Sequence, residues 1–265
     1  MLEELLDDAA QNNAFRHVHP GTKILLGLGT LLICLVSPAP AIPLFSGIVL
    51  TIVLLFPARI PARVYGELLL APAIFVACSI VVLLFMLGGG TVVWQFSPVS
   101  WLHLTITDNA IHQSWLILCR VFGCITALFF IALTTPMPDL FNVMKRCRVP
   151  AELIDLMMIM YRFIFIFYAQ TREIWQAQVM RLGYHKPKES VHSFATLCGM
   201  LFISSWEAGE DLIHAMDARC YSGKMPVLDE PEPVRMRSLV PVILYLCLLI
   251  TGLVAIITHA VVMPL

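Results

Sequence analysis

The sequence has few charged residues for its length. Of its 265 residues, 13% are charged and 59% are hydrophobic, whereas an ordinary soluble domain is roughly 25% charged. So few charges cannot cover the surface of a soluble fold of this size, and the apolar content excludes a disordered chain. Mean hydropathy is +0.84. The composition therefore predicts a protein that crosses a membrane several times.

Sequence motifs for catalysis and nucleotide binding are also missing. The only Gly-Lys pair is Gly223-Lys224, which Met225 follows, and Ala218 stands where a phosphate-binding P-loop has its first glycine. HExxH and GxSxG do not occur either. We therefore predict that the chain by itself is not an enzyme and that it holds no cofactor.

Patterns that bind metal or nucleic acid are equally scarce. The eight cysteines include no CxxC pair, and His17-Val18-His19 holds the only close pair of histidines. A closed metal site takes three or four ligands, so we predict no metal site in this chain. The net charge of -1 provides no basic excess for phosphates, and we expect no nucleic-acid partner.

Apolar runs predict about five membrane-spanning helices, since a span needs about 20 residues. Two short runs, 24–36 and 41–56, are separated by Pro38 and Pro40 and predict a pair of short or tilted spans. The mixed stretch 91–113 suits the membrane interface. The three longer runs are 68–87, 114–133 and 239–263.

The first ten residues predict an acidic amphipathic helix. Four acids on one face oppose apolar residues on the other, and an acidic start is unlike the basic start of a signal peptide. The acids are Glu3, Glu4, Asp7 and Asp8, and the apolar residues are Leu2, Leu5, Leu6 and Ala9.

The distribution of lysine and arginine predicts the orientation in the membrane. Residues 68–118 contain none, whereas 136–238 contain twelve. Basic residues mark cytoplasmic segments. We therefore predict a multi-pass protein of the cytoplasmic (inner) membrane, with the N-terminus, the 57–67 loop and the 136–238 segment in the cytoplasm and membrane lipid around the spans.

The segment 136–238 predicts a long helical hairpin. A helix can begin at Pro150 and run about 32 residues, since no proline or glycine interrupts it before Gly183. Ser190 is the predicted cap of a second helix that ends near Tyr221. The apolar half at 153–168 could enter the bilayer or pack beneath the spans, and both alternatives stay open.

The predicted organisation has three parts, and the predicted fold class is an all-α polytopic membrane protein. The N-terminal helix and four spans occupy 1–135, the hairpin occupies 136–238, and the last span occupies 239–265.

Two arginines fall in apolar surroundings, where such residues face a bundle interior or a partner and need a counter-charge. Arg120 lies in a predicted span, and Arg162 lies in the apolar half of the first hairpin helix. For Arg162, Glu207 and Asp211 on the second helix are the candidate partners. A structural ion pair is the favoured interpretation, and a direct transport role is the alternative.

Two other arginines occupy matched positions at the tips of the hairpin. Arg181 and Arg219 each come at the end of a predicted long helix, just before a glycine. A cation at a helix C-terminus is favourable in itself, by about 0.3–1 kcal/mol. Their repetition favours the other interpretation, that both contact partner proteins.

Several short motifs are recognisable along nearly the whole chain: His19-Pro20-Gly21-Thr22-Lys23, Thr134-Thr135-Pro136, Asp139-Leu140, Arg148-Val149-Pro150, Tyr161-Arg162-Phe163, Met180-Arg181-Leu182 and Ala218-Arg219-Cys220. They resemble the motifs of the transmembrane (T) components of energy-coupling factor (ECF) transporters. Arg16-His17-Val18-His19-Pro20, after the acidic start, resembles the CbiQ branch, which serves cobalt. The triplets around Arg181 and Arg219 resemble the Ala-Arg-Gly coupling motifs of the family, although Leu182 and Cys220 stand where glycine is usual.

The resemblance implies a scaffold that joins a substrate-binding membrane subunit (the S component) to two cytoplasmic ATPases, which bind the ATP. It implies that Arg181 and Arg219, with their neighbours Met180, Leu182, Ala218 and Cys220, contact grooves of the ATPases. Cobalt is the implied cargo, and nickel or a vitamin is the alternative. An autonomous carrier or channel and an intramembrane enzyme are the competing functions, but polar residues along the spans and catalytic motifs are few or missing.

Overall fold

The computed structural model describes residues 13, 15, 18–86, 92–99, 102–221 and 236–262. The predicted N-terminal helix at 1–10 and Gly223 lie outside the described residues.

Within those ranges the chain forms eight helices and one pair of strands, which confirms the predicted helical membrane fold. The elements are α1 (Pro20–Val36), α2 (Ala41–Leu55), α3 (Ala62–Met86), β1 (Val92–Val99), β2 (Leu102–Thr107), α4 (Asp108–Thr134), α5 (Met137–Arg146), α6 (Ala151–Met180), α7 (Pro187–Ala218) and α8 (Met236–Val262).

The described part of the stretch 91–113 contains two strands, and its location at the membrane interface stays a prediction. β1 and β2 form an antiparallel pair in which Gln95 is opposite Thr105, and β-branched and aromatic residues favour such strands. α4 then begins at Asp108, where the Thr107 hydroxyl accepts a hydrogen bond from the Ala110 amide at 3.4 Å. The fourth predicted span therefore starts six residues earlier than its apolar run.

Three helices, α3, α4 and α8, are long and apolar enough to cross a membrane by length and composition. α1 and α2 have 17 and 15 residues, or roughly 25 and 22 Å, whereas the apolar core of a bilayer is roughly 30 Å thick. The expected short pair is therefore present, and the count of five spans stays a prediction.

α4 packs closely against α1 and α2 because glycines lie at the contacts. A Cβ atom on Gly123 of α4 would come 2.7 Å from the Pro43 carbonyl oxygen in α2, and one on Gly47 of α2 would come 2.6 Å from the Phe122 ring in α4. Gly27 of α1 faces Ile131 in the same way. Small residues allow helix backbones in a membrane to approach one another.

The chain divides into two compact units, Met1–Leu140 with Pro231–Leu265 and Phe141–Glu230. We call the first the bundle unit and the second the hairpin unit. The core of the bundle unit includes Leu50 and Leu54 of α2 and Ala127, Phe130 and Leu133 of α4.

In the hairpin unit, α6 and α7 run antiparallel. The Gln170 amide donates to the Ser204 hydroxyl at 2.8 Å near the middle of the pair. The prediction that Ser190 caps α7 is wrong, because α7 begins at Pro187. Proline suits the first helical position, because the N–H that it lacks would have no acceptor within the helix there. The Ser190 hydroxyl instead donates to the Lys186 carbonyl one turn back.

Candidate functional site

The end of α6 holds the first of the two matched arginines. Arg181 is the C-cap residue. The Gly183 amide donates to the Gln178 carbonyl at 2.9 Å, and the Leu182 amide donates to the Val179 carbonyl at 3.0 Å. Leu182 has a φ of 59°. This is the Schellman helix ending, in which the residue after the cap takes the left-handed conformation.

Side chains from both hairpin helices hold this turn in place. The Gln178 amide donates to the Ser193 carbonyl at 3.0 Å, and the Ser193 hydroxyl donates to the Gly183 carbonyl at 2.9 Å. The Tyr184 hydroxyl donates to the Gln178 side-chain oxygen at 2.8 Å. A Cβ atom on Gly183 would come 2.6 Å from the Ser193 hydroxyl. These hydrogen bonds therefore fix the backbone of the turn that carries Arg181.

The end of α7 repeats the same backbone arrangement. Arg219 is the C-cap residue, and Cys220 has a φ of 53°. The Tyr221 amide donates to the Met216 carbonyl at 3.1 Å. The Tyr221 hydroxyl donates to the buried Asp155 carboxylate in α6 at 3.0 Å. Desolvation and this hydrogen bond raise the pKa of the Tyr221 phenol, so it keeps its proton at neutral pH.

Both arginines are exposed at their helix ends. Among the described residues, neither forms an ion pair. The neighbouring Met180 is 85% exposed and Leu182 is 69% exposed. The end of α6 therefore presents a cation beside exposed apolar side chains, and at the end of α7 the neighbours Ala218 and Cys220 are exposed as well.

The two arginines lie at opposite ends of the helix pair, which refines the prediction that they occupy two tips of one hairpin. Arg181 is in the turn that leads into α7, and Arg219 is at the far end of α7. The 32 residues of α7 span roughly 48 Å. The two arginines therefore lie on separate surfaces of the hairpin unit.

The His-Pro-x-x-Lys motif begins α1 and joins it to the end of α4. His19 caps the helix, because its Nδ1 accepts from the Gly21 amide at 3.0 Å, and Pro20 is the first helical residue. The buried Lys23 ammonium donates to the Thr134 carbonyl at 2.9 Å. A cation is favourable at a helix C-terminus, where carbonyls lack helical partners. The motif therefore has a structural role.

Arg120 caps the other end of α1. Its Nη2 donates to the Ser37 carbonyl at 2.7 Å, and Ser37 is fully buried. Lys23 contacts Thr134, and Ser37, the C-cap of α1, contacts Arg120. The two contacts are 14 positions apart along each helix. At 1.5 Å per residue, α1 therefore runs beside roughly 21 Å of α4. The turn between α1 and α2 thus lies beside the middle of α4. Backbone at such a depth needs partners within the protein, and Arg120 provides one.

The expected ion pair of Arg162 is not formed among the described residues. Arg162 and Asp211 both line a cavity of about 510 Å3 between α6 and α7. Arg162, Glu207 and Asp211 are all exposed. The sequence places these residues on facing helices correctly, but periodicity cannot show how far apart the helices are.

Histidine, cysteine and carboxylate side chains do not form a group of three that could hold a metal ion anywhere in the described ranges. His112 is exposed at the start of α4, and His103 is in β2.

The comparisons with known proteins settle the family. A family model described as CbiQ, cobalt transport protein, matches residues 11–228. The chain belongs to the CbiQ family of cobalt transport proteins. The resemblance of its motifs to CbiQ and ECF proteins is thereby confirmed, and its long apolar helices agree with a membrane protein.

Three relatives of this CbiQ-family chain show the range of the family. A putative fused cobalt transport protein CbiMQ of Methanocorpusculum labreanum is 37% identical over 93% of this chain, which spans 41% of that protein's length. The cobalt transport protein CbiQ of Rhodobacter capsulatus is 28% identical over 84% of this chain and 86% of its own. The ECF transporter transmembrane protein EcfT of Ruminiclostridium cellulolyticum is 33% identical over 58% and 60%.

The left-handed residues explain why glycine is usual in the family's coupling motifs. A residue with a Cβ atom is disfavoured in this conformation by roughly 1–2 kcal/mol, whereas glycine adopts it readily. In the motifs that these segments resemble, glycine is usual at the positions of Leu182 and Cys220, one position after each arginine. This CbiQ chain therefore keeps the conformation at some loss of stability.

Leu182→Gly and Cys220→Gly are each expected to raise the free energy of unfolding by about 1 kcal/mol, because the strained residue is relieved. Ala218→Gly is the matched control, since Ala218 is the last helical residue of α7, and glycine there should lower stability by less than the roughly 1 kcal/mol of a helix interior. Thermal unfolding of the purified chain in detergent measures all three. Equal destabilisation by the three substitutions would contradict the left-handed assignment.

Proposed function

We propose that this CbiQ-family chain is the membrane coupling subunit of an ATP-driven importer of the ECF type, with cobalt ions as the transported substrate. The observation that carries the proposal is the pair of matched helix ends, each with an exposed arginine in the same backbone setting. The sequence contains no P-loop, so ATP has to be hydrolysed by partner proteins. The two helix ends are the positions at which such partners can bind and move the hairpin unit.

The partners at those points are two cytoplasmic ABC ATPase subunits, one at Arg181 and one at Arg219. ATP is bound by these subunits and not by this chain. The separation of roughly 48 Å along α7 supports one partner at each end. Arginine suits the contact because its charge is permanent and its planar guanidinium can bind a carboxylate through two parallel hydrogen bonds.

The substrate-binding partner is a second membrane protein, an S component. The relative from M. labreanum is named as a fusion of CbiM and CbiQ, and this supports a CbiM-type chain in that role. Cobalt is favoured over nickel or a vitamin because two of the three relatives described above are named as cobalt transport proteins.

The membrane is the cytoplasmic membrane, with the hairpin unit and the N-terminus on the cytoplasmic side. The positive-inside pattern supports this orientation. The start of α4 is then outside, and the turn between α6 and α7 is inside.

Cysteine labelling tests the orientation. In a variant without the native cysteines, Asp108→Cys is expected to react with a membrane-impermeant maleimide in intact cells, and Lys186→Cys is expected to react only after the membrane is opened. Both residues are exposed in the fold, so burial cannot explain a difference. Labelling of position 186 from outside would overturn the orientation.

Reconstitution tests the function itself. The purified chain in liposomes is expected to show neither ATP hydrolysis nor cobalt uptake. Addition of the ATPases and the CbiM-type partner is expected to produce ATP-dependent uptake of radioactive cobalt, with excess cobalt competing better than excess nickel. ATP hydrolysis or cobalt flux by the chain alone would contradict the coupling role, and preferential competition by nickel would change the cargo.

A further inference from the structure

A side-chain hydrogen bond joins the turn after α7 to the beginning of α6. The Tyr221 hydroxyl donates to the Asp155 carboxylate at 3.0 Å, although the two residues are 66 positions apart in the chain. Asp155 is the fifth residue of α6 and is only 8% exposed. A buried carboxylate is costly unless it is hydrogen-bonded. The Tyr221 hydroxyl therefore supplies a bond that the carboxylate requires, and the carboxylate fixes the phenol in return.

This bond lies directly beside Arg219. Tyr221 follows Arg219 by two positions, and Cys220 between them has the left-handed φ of 53°. A residue with a Cβ atom keeps such a conformation only when its surroundings hold it there. Within the described ranges, the bond to Asp155 is the only side-chain hydrogen bond that reaches residues 216–221. The conformation of the turn therefore depends on a single hydroxyl group to an unusual degree.

The turn that carries Arg181 differs in this respect. Three side-chain hydrogen bonds hold it, and they involve Gln178, Ser193 and Tyr184. Loss of one of them leaves two in place. At the Arg219 end, loss of the phenol hydroxyl leaves only the backbone hydrogen bonds of the helix ending among the described residues. The two matched helix ends thus share a backbone conformation but are held by different means.

We propose that Tyr221 and Asp155 are positioning residues for Arg219, and that their hydrogen bond holds the guanidinium where a partner ATPase binds it. The inference rests on the proposed function, in which Arg219 contacts an ATPase subunit. A backbone that is already fixed loses less conformational freedom when a complex forms. Without the bond, Cys220 is free to leave its left-handed conformation, and Arg219 then has to be ordered again during binding.

The affinity of the purified chain in detergent for the purified partner ATPases tests the proposal. Tyr221→Phe removes only the hydroxyl and is expected to raise Kd about tenfold, which is less than the effect of Arg219→Ala. When it is added to Arg219→Ala, Tyr221→Phe is expected to raise Kd no further, because a residue that acts only through Arg219 has no effect in its absence. A merely structural role would weaken binding in both backgrounds.

Variants of Asp155 test whether the hydrogen bond itself is responsible. Asp155→Asn keeps a side-chain oxygen that can accept from the phenol, and it is expected to retain nearly the parental Kd. Asp155→Leu removes the acceptor and is expected to match Tyr221→Phe. Tyr168→Phe is the control, since it also removes a phenol hydroxyl from the hairpin unit but lies near the middle of α6. It is expected to leave Kd unchanged.

The outcomes separate this proposal from the function on which it rests. If Arg219→Ala weakens binding but Tyr221→Phe does not, the positioning role is wrong and the ATPase contact stands. An equal rise in Kd when Tyr221→Phe is added to Arg219→Ala, or the same rise in Tyr168→Phe, would also overturn the positioning role. If Arg219→Ala binds the ATPases like the parent, the proposed contact at this helix end fails, and the positioning role fails with it.

Discussion

Replacement of both Arg181 and Arg219 by alanine is expected to abolish stable binding of the partner ATPases, while the bundle unit stays folded. Both side chains are exposed and cap their helices without an ion pair among the described residues, so truncation removes little from the chain's own stability. Arginine anchors at protein interfaces commonly contribute roughly 2 kcal/mol or more, which is about 30-fold in Kd.

The separation of the two arginines makes the single variants informative. Because Arg181 and Arg219 lie at opposite ends of α7, each single alanine variant should lose one ATPase contact and keep the other. Lysine at either position should restore binding only in part, since it cannot bind a carboxylate through two parallel bonds. Co-purification of the ATPases and ATP-driven cobalt uptake are the two measurements.

Arg172→Ala is the matched control for these variants. Arg172 is also an exposed arginine of the hairpin unit, but it lies within α6 and not at a helix end. Its loss removes one positive charge, as each single variant does, and should leave ATPase binding unchanged. If the double variant binds the ATPases as well as Arg172→Ala does, the two arginines are only favourable charges at helix ends.

Much of the helical framework could be predicted from local sequence signals. Pro150 and Gly183 bracket α6, which runs from Ala151 to Met180, because proline begins helices and glycine ends them. The same signals placed Arg181 and Arg219 near the ends of their helices, although the second helix ends at Ala218 and not near Tyr221. The predicted start of α7 at Ser190 was wrong. Serine is a favourable capping residue, but Ser190 lies one turn inside a helix that begins at Pro187.

Contacts between distant parts of the chain could not be predicted. Lys23 and Thr134 are 111 positions apart, and no local pattern shows that the start of α1 meets the end of α4. For the same reason, the sequence identified Arg120 as an unusual charge but did not reveal the Ser37 carbonyl as its partner. Neither leucine nor cysteine indicates a left-handed conformation by itself. The signal at Leu182 and at Cys220 was the glycine that is usual at both positions in the motifs that these segments resemble.

Because α2 lies close to α4, substitution of Gly123 is expected to lower the stability of the bundle unit strongly. A Cβ atom there would lie 2.7 Å from the Pro43 carbonyl oxygen and 3.1 Å from the Cys34 sulfur. The oxygen belongs to the backbone of α2 and also accepts from the Ser46 hydroxyl at 3.0 Å. It cannot move aside as the end of a flexible side chain would.

Gly123→Val is therefore expected to destabilise the chain by more than the roughly 1–3 kcal/mol of ordinary overpacking. Gly252→Val is the control, because a Cβ atom on Gly252 of α8 meets nothing within 4 Å. Both positions are inside helices, so the change in helix propensity is the same for the two, and the difference isolates the α2–α4 contact. Expression level and thermal unfolding midpoint in detergent measure it. Equal midpoints would mean that α2 and α4 do not meet through Gly123, and that the turn capped by Arg120 is not held beside the middle of α4.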